Sequence, residues 1–495
     1  MKFFTFRYFI IFSGIMASLP LLAQAGEEIV LREVQPRDHI SRGSWWSIYD
    51  DEILDSLIRQ ASTANQNIKV AVFRLDQSRA AARLARSQFF PQASINASAT
   101  RQTTSGAITV PFDPGGKVIT GSNFDIPLDV SYEIDLWGRV RKSVEASIND
   151  AASTAASMQN VMLSVQAEVA QNYFMLRAVD AENLALKNSI ALLTEAQNIA
   201  LARQKSGTAT EAEVTRANSE LLSTQAELAG MMTTRDQLQN SIAVLVGKHT
   251  DQFSLKPSTN PLPAPPSVPT SIPSDLLERR PDIATSERAL SASIARVGVA
   301  KLAGYPSIRL TGSGGVVSGS LSSLFATGSE KWSIGPSISI PILSGGKNKA
   351  NLEAAIAAAD LQLAQYRQTI LLSFAEVDNN LSALKHLKEQ ITFQNGAYDN
   401  AEKSRALAKT RYESGLGQYL DLLEAGKNAI TTQRRLHQMR GQNLVASVTL
   451  IKALGGGWNQ KMPTQIPVMQ VDPAAQGNSV APEKKKNFFQ RLFKK

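Results

Sequence analysis

The chain of 495 residues contains no cysteine. That excludes a disulfide framework and a lipid-bearing cysteine at a mature N-terminus. Long apolar runs are missing too: beyond Leu22 no stretch approaches the roughly 18 apolar residues of a membrane-spanning helix. Histidine is scarce, and His39, His249, His386 and His437 are scattered without metal-ligand spacing. Aromatic residues make up 6%, which suits an Ala-rich helical protein. Charge of one sign is sparse in the body of the chain. Of the net +9, Lys2 and Arg7 carry +2 and Glu483 to Lys495 carries +5, so the remainder is near neutral. Such a chain presents no field built for nucleic acid. Glycine and proline are both absent from Arg139 to Ser206, and Lys347 to Ser414 holds a single Gly and no Pro. Neither stretch contains a residue that must break a helix. At about 1.5 Å per residue each would run roughly 100 Å, too long for a globular core.

Each helical stretch follows a strand-like one. Phe124, Ile126, Leu128, Val130, Tyr132 and Ile134 alternate with Asp125, Pro127, Asp129, Ser131, Glu133 and Asp135. Period-two alternation of this kind predicts a strand with one apolar and one acidic face. The run from Trp332 to Ile342 alternates in the same way. Shifting the first half by 208 positions sets Gly138 on Gly346, Arg203 on Arg411, Gly207 on Gly415 and Gly247 on Gly455 without a gap. The chain is an internal duplication. After Gly207 and Gly415 come 39-residue segments free of Pro, so each long helix is expected to turn at Ser-Gly and return as a hairpin. Met162, Val165, Val169, Asn172, Leu176 and Val179 mark a coiled-coil seam on the first long helix. The shorter return arms leave room for the helices expected near 65–90 and 281–304.

Residues 92–104 and 307–317 supply the partner strands, giving four strands of about 10–13 residues, long enough to cross a bilayer when tilted. An open sheet edge is prohibitive in lipid. Four strands cannot close alone, so several chains must share one barrel. Asp125, Asp129, Glu133 and Asp135 then line its lumen, while Trp137 and Trp332 sit at strand ends, where interfacial aromatics belong. Lys2 and Arg7, the apolar run Tyr8 to Leu22 and Ala23-Gln24-Ala25 read as a secretory signal. No catalytic constellation, cofactor motif or phosphate cradle is present in the sequence; Gly312-Ser313-Gly314-Gly315 lacks the helix that a phosphate loop requires.

Several motifs carry a family resemblance: Trp45-Trp46 with Asp51, Tyr132 to Gly138, Leu276 to Ile283, Pro306 to Leu310, Pro341 to Gly346, and Arg411-Tyr412 through Leu420, Asp421 and Ala425. In type and order the chain resembles the TolC-type outer-membrane efflux factors of resistance-nodulation-division pumps. The resemblance implies an α+β membrane protein. Its fold is a homotrimeric 12-stranded β-barrel, four strands per chain, continued by a long periplasmic α-helical barrel with a mixed equatorial domain. On that pattern the chain divides into a signal peptide (1–25), an equatorial segment with the first short helices (26–91), a first transmembrane β-hairpin (92–135) and a first long helical hairpin (136–250). A Pro-rich linker (251–275), the short helices of the second repeat (276–306), a second transmembrane β-hairpin (307–344), a second long helical hairpin (345–456) and a tail with a basic end (457–495) complete it.

The resemblance further implies a passive, non-enzymatic exit duct in the outer membrane. Its implied partners are a periplasmic adaptor and an inner-membrane pump, with no cofactor. By motif, Tyr412, Leu420, Glu424 and Lys427 fall on the positions that close the periplasmic aperture, Lys427 being the nearest base in sequence to Glu424. Two alternatives stay open: a duct for type I protein secretion, and a non-conducting structural coiled coil of the envelope. Many relatives of this branch carry a lipidated cysteine, which this chain lacks, so its barrel alone is expected to anchor it.

Overall fold

A computed structural model describes residues 43–103, 120–266 and 279–456. The signal sequence, part of the first hairpin loop, residues 267–278 of the linker and its following motif, and the tail from 457 lie outside the described residues.

The N-terminal layer begins with a 3-10 turn, Trp45–Tyr49, followed by α1 (Glu52–Ala64) and α2 (Gln66–Ser87). Asp51 caps α1 by accepting from the N–H groups of Ile53 and Leu54, and Asn65 caps α2 in the same manner. The tryptophan pair is packing: the two rings meet edge to face at 5.8 Å, Trp45 donates to Gln166 and Trp46 to Asp55.

The sheet follows. The sequence predicts one strand over 92–104; the structure has two, β1 (Gln92–Ile95) and β2 (Ser98–Thr103), both antiparallel to β3 (Thr120–Ile134). The register is the same on both sides of the break. The gap at Asn96 faces Pro127, which has no N–H to give to the ladder. In the second half of the chain β4 (Ser307–Ser318) pairs with β3 and β5 (Glu330–Ser339) pairs with β4, all antiparallel. Residues opposite one another share a face, so the alternation of β3 spreads across the sheet. Ile126, Leu128, Val130 and Ile134 lie with Val316, Leu310, Ile308, Trp332, Ile334 and Ile338 on one side. Most of that apolar side is bare in a single chain; Trp332 is 80% and Ile334 72% exposed.

Gly315 pairs with Pro127, and a Cβ there would stand 2.1 Å from the carbonyl oxygen of Ile126. A Cβ on the neighbouring Gly314 would meet nothing within 4 Å. We therefore expect Gly315→Ala to lose most of the folded, membrane-inserted protein while Gly314→Ala keeps it, as scored by heat-modifiable migration on gels. Equal yields would show that β3 and β4 are not this close.

The two long hairpins have matched dimensions. In the first, α3 (Arg139–Lys205) spans 67 residues and α4 (Glu211–Leu245) 35. The second, α6 (Lys347–Glu413) and α7 (Tyr419–Ala453), repeats those lengths. Gly207 and Gly415 take positive φ of 73° and 76°. At each turn the N–H after the glycine reaches back to the carbonyl of Arg203 or Arg411, which closes a Schellman motif. Helix α5 (Pro281–Leu302) opens with Pro281 in the first turn and lies against α3 and α6, while α2 lies against α3. These short helices occupy the length that the return arms leave free.

The expected seam on α3 is too narrow. Tyr173, Phe174, Asp180 and Glu182 are also buried, because α1, α2, α4, α5 and α7 surround this helix. Asp180 is held there by Arg235 at 2.7 Å. Its copy α6 is different: 22 residues of α3 are buried but only five of α6. Leu361, Leu371, Leu372, Phe374, Phe393 and Leu407 of α6 remain exposed. No helix among the described residues is long and apolar enough to cross a membrane.

Candidate channel lining and aperture

The polar face of the sheet carries three of the four acids expected there. Asp125, Asp129 and Glu133 project with Ser313, Ser333 and Ser337 on the side opposite the apolar band. That face is less acidic than the sequence of β3 alone suggests. Lys331 of β5 pairs with Asp125, and Arg309 of β4 sits opposite Glu133. At the base of the sheet Glu133 receives Arg139 through both oxygens, at 2.7 and 2.8 Å. Asp135 departs from the expected lumen position. Strand β3 ends at Ile134, and the Asp135 carboxylate accepts from the N–H groups of Val140 and Arg141, both at 2.9 Å. Gly138 holds a left-handed φ of 87° at the cap position of α3 and has no side chain to cap with, so Asp135 supplies the acceptors.

Trp137 and Trp332 lie at different levels of the sheet, Trp332 opposite Gly314 and so level with Leu128 in the middle of β3. Trp332 stands near the start of β5, and Trp137 follows the end of β3, where it donates to the carbonyl of Pro306 at 2.7 Å and packs on Tyr305.

The hairpin tips divide the four aperture candidates. Leu420, Glu424 and Lys427 lie at i, i+4 and i+7 on α7, and all three are exposed. Tyr412 does not join them. It is buried with Tyr419, their rings 5.5 Å apart, and the Arg203 guanidinium from the first hairpin lies 4.8 Å over its face. Arg203 also donates to the Tyr412 carbonyl at 3.5 Å. Burial, then the nearby Tyr412 and the charges of Glu220 and Glu213, push the Tyr419 phenol up to about 12, so it stays neutral at physiological pH. This cluster joins the first hairpin to the second; Tyr412 belongs to a helix contact rather than to an open rim.

Lys427 also finds a partner other than the expected Glu424. Its ammonium stands 3.9 Å from Glu220 on α4, across the hairpin interface. The lysine is well exposed, so the pair contributes little stability, typically below about 1 kcal/mol. Glu424 has no ion pair among the described residues, which leaves its charge free at the tip. Arg203, Tyr419 and Glu220 escaped the reading of the sequence. Arg203 had a signal, since it falls on Arg411 in the duplication; the other two had none. Among the described residues no three potential metal ligands come together.

The sequence model of the outer membrane efflux protein family matches residues 57–248 and 272–456. The toluene efflux pump outer membrane protein TtgC of Pseudomonas putida is 31% identical over 418 residues, 84% of this chain and 86% of that protein. Outer membrane protein OprJ of Pseudomonas aeruginosa is 30% identical over 420 residues, covering 84% and 86%. Among solved structures, the VceC outer membrane protein of Vibrio cholerae superposes with a TM-score of 0.76 at 26% identity, over 86% of this chain and all of that one. The CmeC outer membrane channel of Campylobacter jejuni gives 0.77 at 27%, over 85% and 89%. A duplicated strand-and-hairpin chain matched over nearly all its described length, in sequence and in shape, belongs to the outer membrane efflux protein family.

Proposed function

We propose that three copies of the chain close one 12-stranded barrel, continued by a tube of twelve long helices, and that this assembly is the passive exit duct of a tripartite efflux pump. The observation that carries the reading is the pair of unsatisfied surfaces on one chain. Among the described residues the sheet has an apolar outer face and unpaired edges at β1/β2 and β5, and the exposed apolar residues of α6 have no partners. In lipid the edges must pair, and further copies of the same chain satisfy the edges and the helix together. By likeness to outer membrane components of efflux pumps, energy comes from an inner-membrane transporter, and a periplasmic adaptor joins it to the hairpin tips.

The relatives' names mention toluene, solvents and antibiotics. By that likeness the cargo is small, apolar or amphipathic molecules. The same names favour this duct over one for protein secretion and over a non-conducting coiled coil. Native mass spectrometry of the purified chain is expected to show a trimer as the dominant species. A dominant monomer or dimer would sink the shared barrel.

A further inference from the structure

A cavity of about 250 Å³ lies between α3, α6 and α7, immediately above the hairpin tips. Two of its walls are largely apolar, with Leu192, Leu193 and Ile199 on α3 and Leu422, Leu423 and Ile430 on α7, while the α6 side is polar and charged. Tyr412 and Tyr419 close its tip end. Both phenols are at least nine-tenths buried, and neither hydroxyl has a hydrogen-bond partner among the described residues. Two orphaned hydroxyls on residues that line one cavity are unusual, because buried polar groups are nearly always satisfied by protein, water or ligand.

The cavity's charged residues lean one way. Arg405 is taken by Glu402, and Lys409 is shared between Glu195 at 3.4 Å and Glu413 at 3.7 Å. Three carboxylates thus answer two cations. Glu213 adds negative charge near Tyr419, while Glu220 beside it is answered by Lys427. Arg203 covers a face of the Tyr412 ring from the first hairpin, so a bound cation is held through the phenol oxygens and not by that face.

We propose that this cavity is a binding site for a small organic cation, a fused-ring aromatic body carrying an ammonium group. The rings fill the apolar walls, and the ammonium donates to the oxygens of Tyr412 and Tyr419. The size fits: an apolar cavity of about 150 Å³ accepts benzene, and this one has room for a second ring and a short head group. Neither Leu420 nor Glu424 is among the residues that line this cavity. A ligand seated there touches both hairpins at once and so favours the arrangement in which their tips are packed. That consequence rests on the aperture reading, whereas the binding itself does not.

The test uses the full chain in lipid nanodiscs, titrated with 1-naphthylmethylammonium chloride by calorimetry, with neutral 1-methylnaphthalene as the comparison. Expected is saturable binding of one molecule per chain, at least about tenfold weaker for the neutral compound. Tyr412→Phe with Tyr419→Phe keeps the rings and removes both acceptors. It is expected to weaken binding about tenfold or more, without lowering the thermal midpoint of the unliganded protein. Gly426 also lines the cavity, and a Cβ there meets nothing within 4 Å. Gly426→Leu is therefore expected to fill the space without strain and abolish binding while the protein still assembles. Absence of saturable binding overturns the proposal, and so does binding that neither the Phe pair nor Gly426→Leu changes, because it then reports partition into lipid.

Discussion

Leu420→Ala combined with Glu424→Ala is expected to raise single-channel conductance several-fold in a planar bilayer and to sensitise cells to large antibiotics such as vancomycin. In the proposed trimer each residue occurs three times around a narrow axis. Three leucines form an apolar ring that resists wetting, and such constrictions gate by dewetting. Three carboxylates one turn away repel one another and attract cations. Lys427 does not relieve them, since it turns toward Glu220 on the other hairpin. Glu424→Gln alone is expected to lower cation preference with little change in size of the opening. The matching position in the first copy is Arg216, of opposite charge, so the first hairpin does not reproduce this ring. An assembled double variant with unchanged conductance would move the constriction elsewhere, with the buried Tyr412–Tyr419–Arg203 contact as the next place to look.

The second large effect concerns the faces of β3. Ile126→Arg and Val130→Arg place a guanidinium on the apolar side and are expected to destabilise the membrane-inserted barrel by roughly 2–4 kcal/mol each near the bilayer midplane. Against a typical net stability of about 5–15 kcal/mol, either change should cut the yield of inserted protein sharply. Asp129→Arg lies on the polar side. It is expected to assemble and to shift ion selectivity toward anions. Equal assembly of all three variants would contradict the sidedness of the sheet.

What could be read from the sequence was local. The alternation of β3, the stretches without Gly or Pro, and the glycines at 207 and 415 each act through their own backbone, and the structure shows a strand, long helices and Schellman turns at those places. What could not be read depends on residues far apart in the chain. Lys427 meets Glu220 across the interface of two hairpins. Tyr412 is buried because Tyr419 and Arg203 enclose it. The contrast between a wrapped α3 and a bare α6 follows from where α1, α2 and α4 pack, which no helical period encodes. Two departures did have a local cause. Pro127 interrupts the β1/β2 ladder, and Asp135, three residues before the glycine cap of α3, serves that helix rather than the lumen.

The central claim is a conducting path through an assembly of this chain, and single-channel recording on the purified full chain in a planar lipid bilayer addresses it most directly. The expected result is discrete, cation-preferring current steps, small for the unaltered protein and larger for the Leu420→Ala, Glu424→Ala variant. Protein shown to be inserted and trimeric that passes no current in either form would contradict the claim.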